Sequence, residues 1–136
     1  TEVFSVTFYR GSMETFVMVR SEHLNHYGKL FGGQLLKWVD EFAWLAAKRN
    51  YKQNTFVTRA MDNIEFHHMV PTGAILRFHM EEVKRGTTSV VYSVDVYHEE
   101  NEDKHIFSNN VTLVAVDEEG KKTPLVYKDF GKNNCL

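Results

Sequence analysis

Asp40 is the first residue to question, because of its place in FGGQLLKWVDEFAWLAAKRN, residues 31 to 50. The apolar spacing of that stretch is helical, and a carboxylate at the border of its apolar stripe could face a cavity, partly stripped of water and suited to act as a base. Two turns earlier, Gly32 and Gly33 remove side chains where the first N–H groups of a helix have no partner. A carbonyl oxygen can approach that positive end and be held there as it becomes an oxyanion. An electrophile holder and a water activator are two parts of an acyl-hydrolysis site. Each also has a plainer reading. A Gly-Gly entry permits close packing, and Asp40 could be an exposed helix acid beside Lys37 or Lys48.

The elements must hold these groups in place. The spacing predicts a helix from Gly32 or Gly33 to about Asn50, with YKQN as its exit loop. Leu36, Val39, Ala43, Ala46 and Ala47 form one stripe, widened by Leu35 and Phe42, while Lys37, Glu41 and Lys48 mark the wet side. Trp38, Trp44 and Leu45 flank that wet side, so apolar surface nearly encircles the rod. One sheet face cannot cover it all, which implies a second subunit.

Short strands surround the helix in sequence. TEVFSVTFYRGSM alternates before Arg10, Gly11 and Ser12 interrupt it, and ETFVMVRSEHL resumes a strand through Phe16 to Val19. Beyond the helix come TFVTRAMDNIEFHHMV, AILRFHMEEVKR, TTSVVYSVDVYHEE and KHIFSNNVTLVAVDEEG, joined by turn signals RGT and EENED. Alternation is clearest at Val90, Tyr92, Val94 and Val96 against Val91, Ser93, Asp95 and Tyr97, which is antiparallel texture. One long helix among such strands predicts an α+β fold, the helix packed on a curved antiparallel sheet. A single domain spans 1–136, with 1–12 as an N-terminal extension and 121–136 as a polar C-terminal tail.

Charge excludes several classes. Sixteen Lys and Arg against eighteen Asp and Glu give −2, so neither nucleic acid nor an anionic membrane is a partner by bulk attraction. Any anionic ligand must be met locally, and Lys84, Arg85 and Gly86 before Thr87, Thr88 and Ser89 could do so, although KRGTT also reads as an ordinary charged turn. The lone Cys135 excludes an intrachain disulfide, and with no signal-type segment or membrane-length apolar run the expected compartment is the cytoplasm. His23 and His26, and the adjacent His67 and His68, lack a metal-binding motif, so no metal is expected. Asn110-Val111-Thr112 fits a glycosylation sequon but falls in a predicted strand.

The stretch NHYGKLFGGQLLKWVDEFAWLAAKRN resembles the helix motif of hotdog-fold acyl-CoA thioesterases, and is especially close to the acetyl-CoA and long-chain acyl-CoA hydrolase branch. The similarity continues through VTRAMDNIEF and KRGTTSVVYSV, from about Phe16 to Val116. It implies a central helix wrapped by antiparallel sheet, two units joined into one continuous sheet, and active sites between them. By that resemblance Asp40 is the general base or nucleophile, Asn25 positions the water or thioester across the dimer interface, and Gly33, with Gly32, donates backbone N–H to the thioester oxygen. Arg59, Ala60 and Met61, with Thr88, Ser89 and Val90, are placed along the coenzyme A path, to which the local charge reading adds Arg85. Coenzyme A is then part of the substrate, no separate cofactor is needed, and self-association is as a dimer, with a trimer of dimers allowed. Ala74 departs from the acidic residue many relatives carry there. Two other readings of the same architecture are an enoyl-thioester hydratase or dehydratase, with His26 and an acid as its proton-transfer pair, and a non-catalytic acyl-CoA-binding module.

Overall fold

The structure is a computed structural model that describes residues 12–126, apart from the side chains of Glu102 and Asp103. The expected strand before Ser12, with Phe8 and Tyr9, and Cys135 in the tail lie outside the described residues. In chain order the elements are β1 (Ser12–Met18), a short 3-10 turn (Ser21–His23), α1 (Gly32–Asn50), β2 (Thr55–Phe66), β3 (Ile75–Arg85), β4 (Ser89–His98) and β5 (Asn101–Val116). The strands form one antiparallel sheet in the order β1-β3-β4-β5-β2, with α1 against one face. This is the hotdog arrangement.

α1 starts and stops close to the predicted positions. Its interior carries no glycine or proline after Gly33, and Lys48 and Arg49 sit in the last turn, where cations complement the helix dipole. The buried face is Leu35, Trp38, Val39, Ala43, Ala46 and Ala47. Trp38 is therefore a core residue, not a flank of the wet side: only 8% of it is exposed, and its ring meets Phe78 of β3 edge-on at 6.2 Å. At 100° per residue Trp38 falls 60° to one side of Leu35, inside the arc that the sheet covers. Leu36 is only half-buried, and Leu45 is exposed.

The sheet supplies the opposing wall. Val90, Tyr92, Val94 and Val96 are fully buried, matching the alternation read from β4. β5 begins at Asn101, earlier than the EENED turn signal implies, and β2 ends at Phe66, so His67 and His68 lie outside it. Residues 122–126 are not a loose polar tail: Thr123 N–H bonds the Ala115 carbonyl at 3.0 Å and Leu125 N–H the Thr87 carbonyl at 2.9 Å.

β2 stands at the end of the strand order. Only Phe56 and Met61 of its twelve residues are less than exposed, and among the described residues no strand lies on its side away from β5. Two register breaks interrupt its pairing with β5, between Thr58 and Ala60 and between Asp62 and Glu65, where Asn63 takes a positive φ of 55°. Such irregularities increase local twist and re-aim side chains. Among the described residues no helix is long and apolar enough to cross a membrane.

Candidate active site

Asp40 lies where α1 meets β2. Its side chain is partly buried, and Oδ1 accepts a hydrogen bond of 2.5 Å from the Thr58 hydroxyl. The contact follows from two periodicities. Phe56 points into the core, so Thr58, two residues on, points the same way; Asp40 sits 20° past Ala47 on the helical wheel, at the border of the buried arc. The hydroxyl fixes one carboxylate oxygen and leaves Oδ2 to engage a water. Thr58 is the site residue that sequence reading passed over. A polar residue on the helix-facing side of the strand just after the helix was the signal that could have found it.

The helix entry carries the second part. Phe31 is the N-cap residue and provides no side-chain cap; Gln34 makes the first hydrogen bond to its carbonyl, at 3.0 Å. The N–H groups of Gly32 and Gly33 precede that ladder. A Cβ on Gly33 would lie 2.6 Å from Cε2 of Phe31, and one on Gly32 would stand 3.6 Å from the Phe66 ring. Two half-exposed phenyl rings thus flank the glycines. Gly33 and Asp40 are seven residues apart, two turns and about 10 Å along the axis, on the same side of the rod.

Asn25 precedes the helix in a tight loop. Its Oδ1 accepts backbone N–H groups from Tyr27 at 2.9 Å and Lys29 at 3.1 Å, and its carbonyl accepts that of Gly28, which has a φ of 76°. Because the oxygen is held by two donors, the amide NH2 is the end of the carboxamide turned outward as a donor. His23 anchors the same loop: its Nδ1 accepts the Arg20 N–H at 2.9 Å and its ring meets Trp38 edge-on at 4.7 Å. His26 packs on Tyr27, with ring centroids 4.0 Å apart, and Asp40 is bonded to a hydroxyl rather than an imidazole.

The residues expected along the coenzyme path lie in different rows of the sheet: Ser89 and Val90 align through β5 with Val57 and Thr58, whereas Ala60 and Met61 align with Val91 and Tyr92. Thr58 pairs with Leu113, and Leu113 with Val90, so the Asp40 contact and the start of β4 share one row. Arg59 is the extra residue at the first register break and is exposed; Ala60 is exposed, and Met61 is half-buried against the core. Thr88 and Ser89 are half-buried. The Val90 side chain is fully buried, so only its backbone could meet a ligand. Arg85 is committed to Glu82, bonding it through Nε and Nη2, each at 3.0 Å, and lies 5.7 Å from the Tyr51 ring centre. Lys84 is the exposed cation beside it. Ala74 is buried and gives its carbonyl to the Val19 N–H, a position with no room for an acid.

The remaining signals form a separate network on the outer face of the sheet. His79 meets Glu14 and Glu81 at 3.0 and 3.1 Å, Arg77 bridges Glu14 and Glu99, and His105 meets Asp95 at 2.9 Å beside Tyr97 and His67. Among the described residues no three His, Cys, Asp or Glu converge in a way that could hold a metal ion.

The family model of the thioesterase superfamily matches residues 27–104, more than half of the chain, and the chain belongs to that superfamily. It is 36% identical over 107 residues to an acyl-CoA thioester hydrolase of Zymomonas mobilis, covering 76% of this chain and 70% of that one. It is 35% identical over 78 residues to mouse acyl-coenzyme A thioesterase 11, covering 57% of this chain but 13% of the mouse protein. Among solved structures, an apo hexameric acyl-CoA thioesterase superposes with a TM-score of 0.79 at 26% identity, covering 93% of this chain and 85% of that one. A Staphylococcus aureus acyl-CoA hydrolase, solved as an asparagine-to-alanine variant with coenzyme A, superposes with a TM-score of 0.78 at 25% identity, covering 93% and 78%.

Proposed function

We propose that this chain hydrolyses acyl-CoA thioesters to a carboxylic acid and coenzyme A, working as a dimer joined along β2. The observation that carries the reading is the Asp40 carboxylate, held by Thr58 at an open sheet edge in a chain of the thioesterase superfamily. A second copy pairing with β2 would cover the exposed edge, shield Asp40 from water and bring its own Asn25 loop to the site. Hexameric relatives of the same fold make a trimer of such dimers the assembly to test. The lone cysteine agrees with the reducing cytoplasm as the compartment.

The chemistry then runs as follows. Asp40 removes a proton from a water that the partner's Asn25 amide orients, and the water oxygen adds to the thioester carbonyl carbon. The carbonyl oxygen takes the displaced electron pair and is stabilised by the N–H groups of Gly32 and Gly33. Collapse re-forms the carbonyl and expels coenzyme A as its thiolate, which takes the proton from the Asp40 carboxylic acid. About 10 Å of helix between the donors and the acid leaves room for a water between carboxylate and carbon, which favours this route over direct attack by Asp40. Coenzyme A brings phosphates, for which Lys84 and the amides and hydroxyls of Thr87, Thr88 and Ser89 are the local recognition groups. Arg59 at the β2 edge offers a second cation.

Thiol release measured across acyl-CoA chain lengths tests the reading. Turnover at one or more lengths is expected; saturable binding with no free thiol at any length would make the chain a binding module instead. Asp40 bonded to a hydroxyl supports hydrolysis over hydration. Crotonyl-CoA should therefore keep its enoyl absorbance until thiol appears.

A further inference from the structure

Asn54 is one of two buried polar side chains among the described residues, with 4% of its surface exposed. It lies in the exit loop of α1, away from Asp40, yet both ends of its carboxamide are used. Nδ2 donates to the Pro124 carbonyl at 3.1 Å, and Oδ1 accepts the Val126 N–H at 2.7 Å. Its own backbone is fixed as well: the N–H bonds the Tyr51 carbonyl at 3.1 Å, and the carbonyl accepts Lys48 Nζ at 2.7 Å. The segment so gripped runs back over the β3–β4 hairpin, where Leu125 N–H bonds the Thr87 carbonyl and Thr123 N–H the Ala115 carbonyl. Ala115 N–H in turn bonds the Thr88 carbonyl at 2.8 Å. Thr87 and Thr88 thus have their backbone carbonyls occupied from above and from the side, and the Gly86 N–H is taken by the Ser89 carbonyl at 2.8 Å, which leaves the N–H groups and hydroxyls of Thr87 and Thr88 as the part that can face a ligand.

We propose that Asn54 is a positioning residue for the nucleotide end of coenzyme A, acting through the strap of residues 122–126 to hold the Lys84–Ser89 hairpin in its binding conformation. The inference rests on the thioesterase reading above. The hairpin lies beyond the Thr58–Leu113–Val90 row, toward the C-terminal end of α1, whereas the glycines that would hold the thioester oxygen are at the N-terminal end. An extended substrate must therefore lay its phosphates near the hairpin and its acyl group near the entry. Loosening the strap affects only the phosphate end.

The test compares two substrates with the same acyl group: the coenzyme A ester, and the ester of N-acetylcysteamine, which lacks the nucleotide. Asn54→Ala should raise KM for the coenzyme A ester about tenfold with kcat little changed, and leave both constants for the short thioester within about twofold of wild type. Equal effects on the two esters, or none, would overturn the inference. If Asn54→Ala does not fold, amide hydrogen exchange of the wild-type protein decides: coenzyme A should slow exchange at Leu125 and Val126 and N-acetylcysteamine should not, and unchanged exchange with coenzyme A would overturn it. Wild-type protein that cleaves neither ester contradicts the thioesterase reading itself, a distinct result.

Discussion

The two ends of α1 are built to opposite rules. At the C-terminal end the side chains of Lys48, Asn50, Tyr51 and Asn54 all have partners within the chain. Asn50 donates to the Tyr92 hydroxyl at 2.7 Å, the buried Tyr51 hydroxyl donates to Glu82 at 2.8 Å, and Lys48 caps the carbonyls of Lys52 and Asn54. At the N-terminal end no side chain caps the helix, two glycines stand first, and exposed Phe31, Phe66 and Tyr27 surround them beside an open strand edge. One end is finished by the chain itself, and the other, on the proposed reading, receives the reacting thioester and a second copy. On that reading the bond-making step belongs to the second region while the first supplies stability and holds the coenzyme end, so substitutions at the two ends should separate in what they damage.

The largest effect is expected at the acid. Asp40→Asn keeps the size of the side chain and its contact with Thr58 but removes the base, and should lower kcat on the order of a hundredfold to ten-thousandfold while coenzyme A binding persists. Next is the entry: Gly32→Pro deletes one N–H at the first helical position, where proline is tolerated and a Cβ meets only the Phe66 ring at 3.6 Å, and should lower kcat roughly a hundredfold with the circular dichroism of α1 retained. Thr58→Val leaves a similar shape and frees the carboxylate to rotate; a fall in kcat of about tenfold is expected, with the melting temperature nearly unchanged.

The smallest effect on activity belongs to the closed end. Tyr51→Phe should cost about 1 kcal/mol in denaturant unfolding and leave kcat alone. Burial, together with the bond to Glu82 and its negative charge, pushes the Tyr51 hydroxyl's pKa well above the ordinary tyrosine value. A raised folded-state pKa means that its stabilisation is full below the unfolded value of about 10 and is lost as pH climbs from there toward the folded one. Wild-type stability should accordingly fall above about pH 10, and that part of the fall should be missing in Tyr51→Phe. A phenylalanine variant with an unchanged alkaline profile would show that another group is responsible.

Much of this division could be read before any coordinates. The 3.6-residue spacing of Leu36, Val39, Ala43, Ala46 and Ala47 placed the helix, although Leu35 rather than Leu36 is the fully buried one, and the two-residue alternation from Val90 to Val96 placed a core strand. Those patterns are local and are set by which face is buried. Trp38 was misplaced because its side is covered by Phe78, forty residues further along the chain, which no spacing within the helix reveals. Thr58 was missed for the same reason: a threonine in a strand is ordinary until the fold puts it against an acid. The strap at residues 122–126 has polar composition and reads as tail, yet its backbone is bonded to Thr87, Ala115 and Asn54. Arg85 looked like a cation for phosphate, and its pairing with Glu82 depends on a register break between Glu82 and Lys84.

The central claim is that each catalytic centre is assembled across the β2 edge, from one chain's Asp40 and the other chain's Asn25. Co-expressing an Asn25→Ala chain with an Asp40→Asn chain, each inactive alone, tests it directly by thiol release from acyl-CoA. Random pairing makes half of the dimers mixed, each with one intact site of two, so about a quarter of wild-type activity should return. Mixed dimers with no more activity than either parent would mean that both residues act within one chain, and would contradict the account.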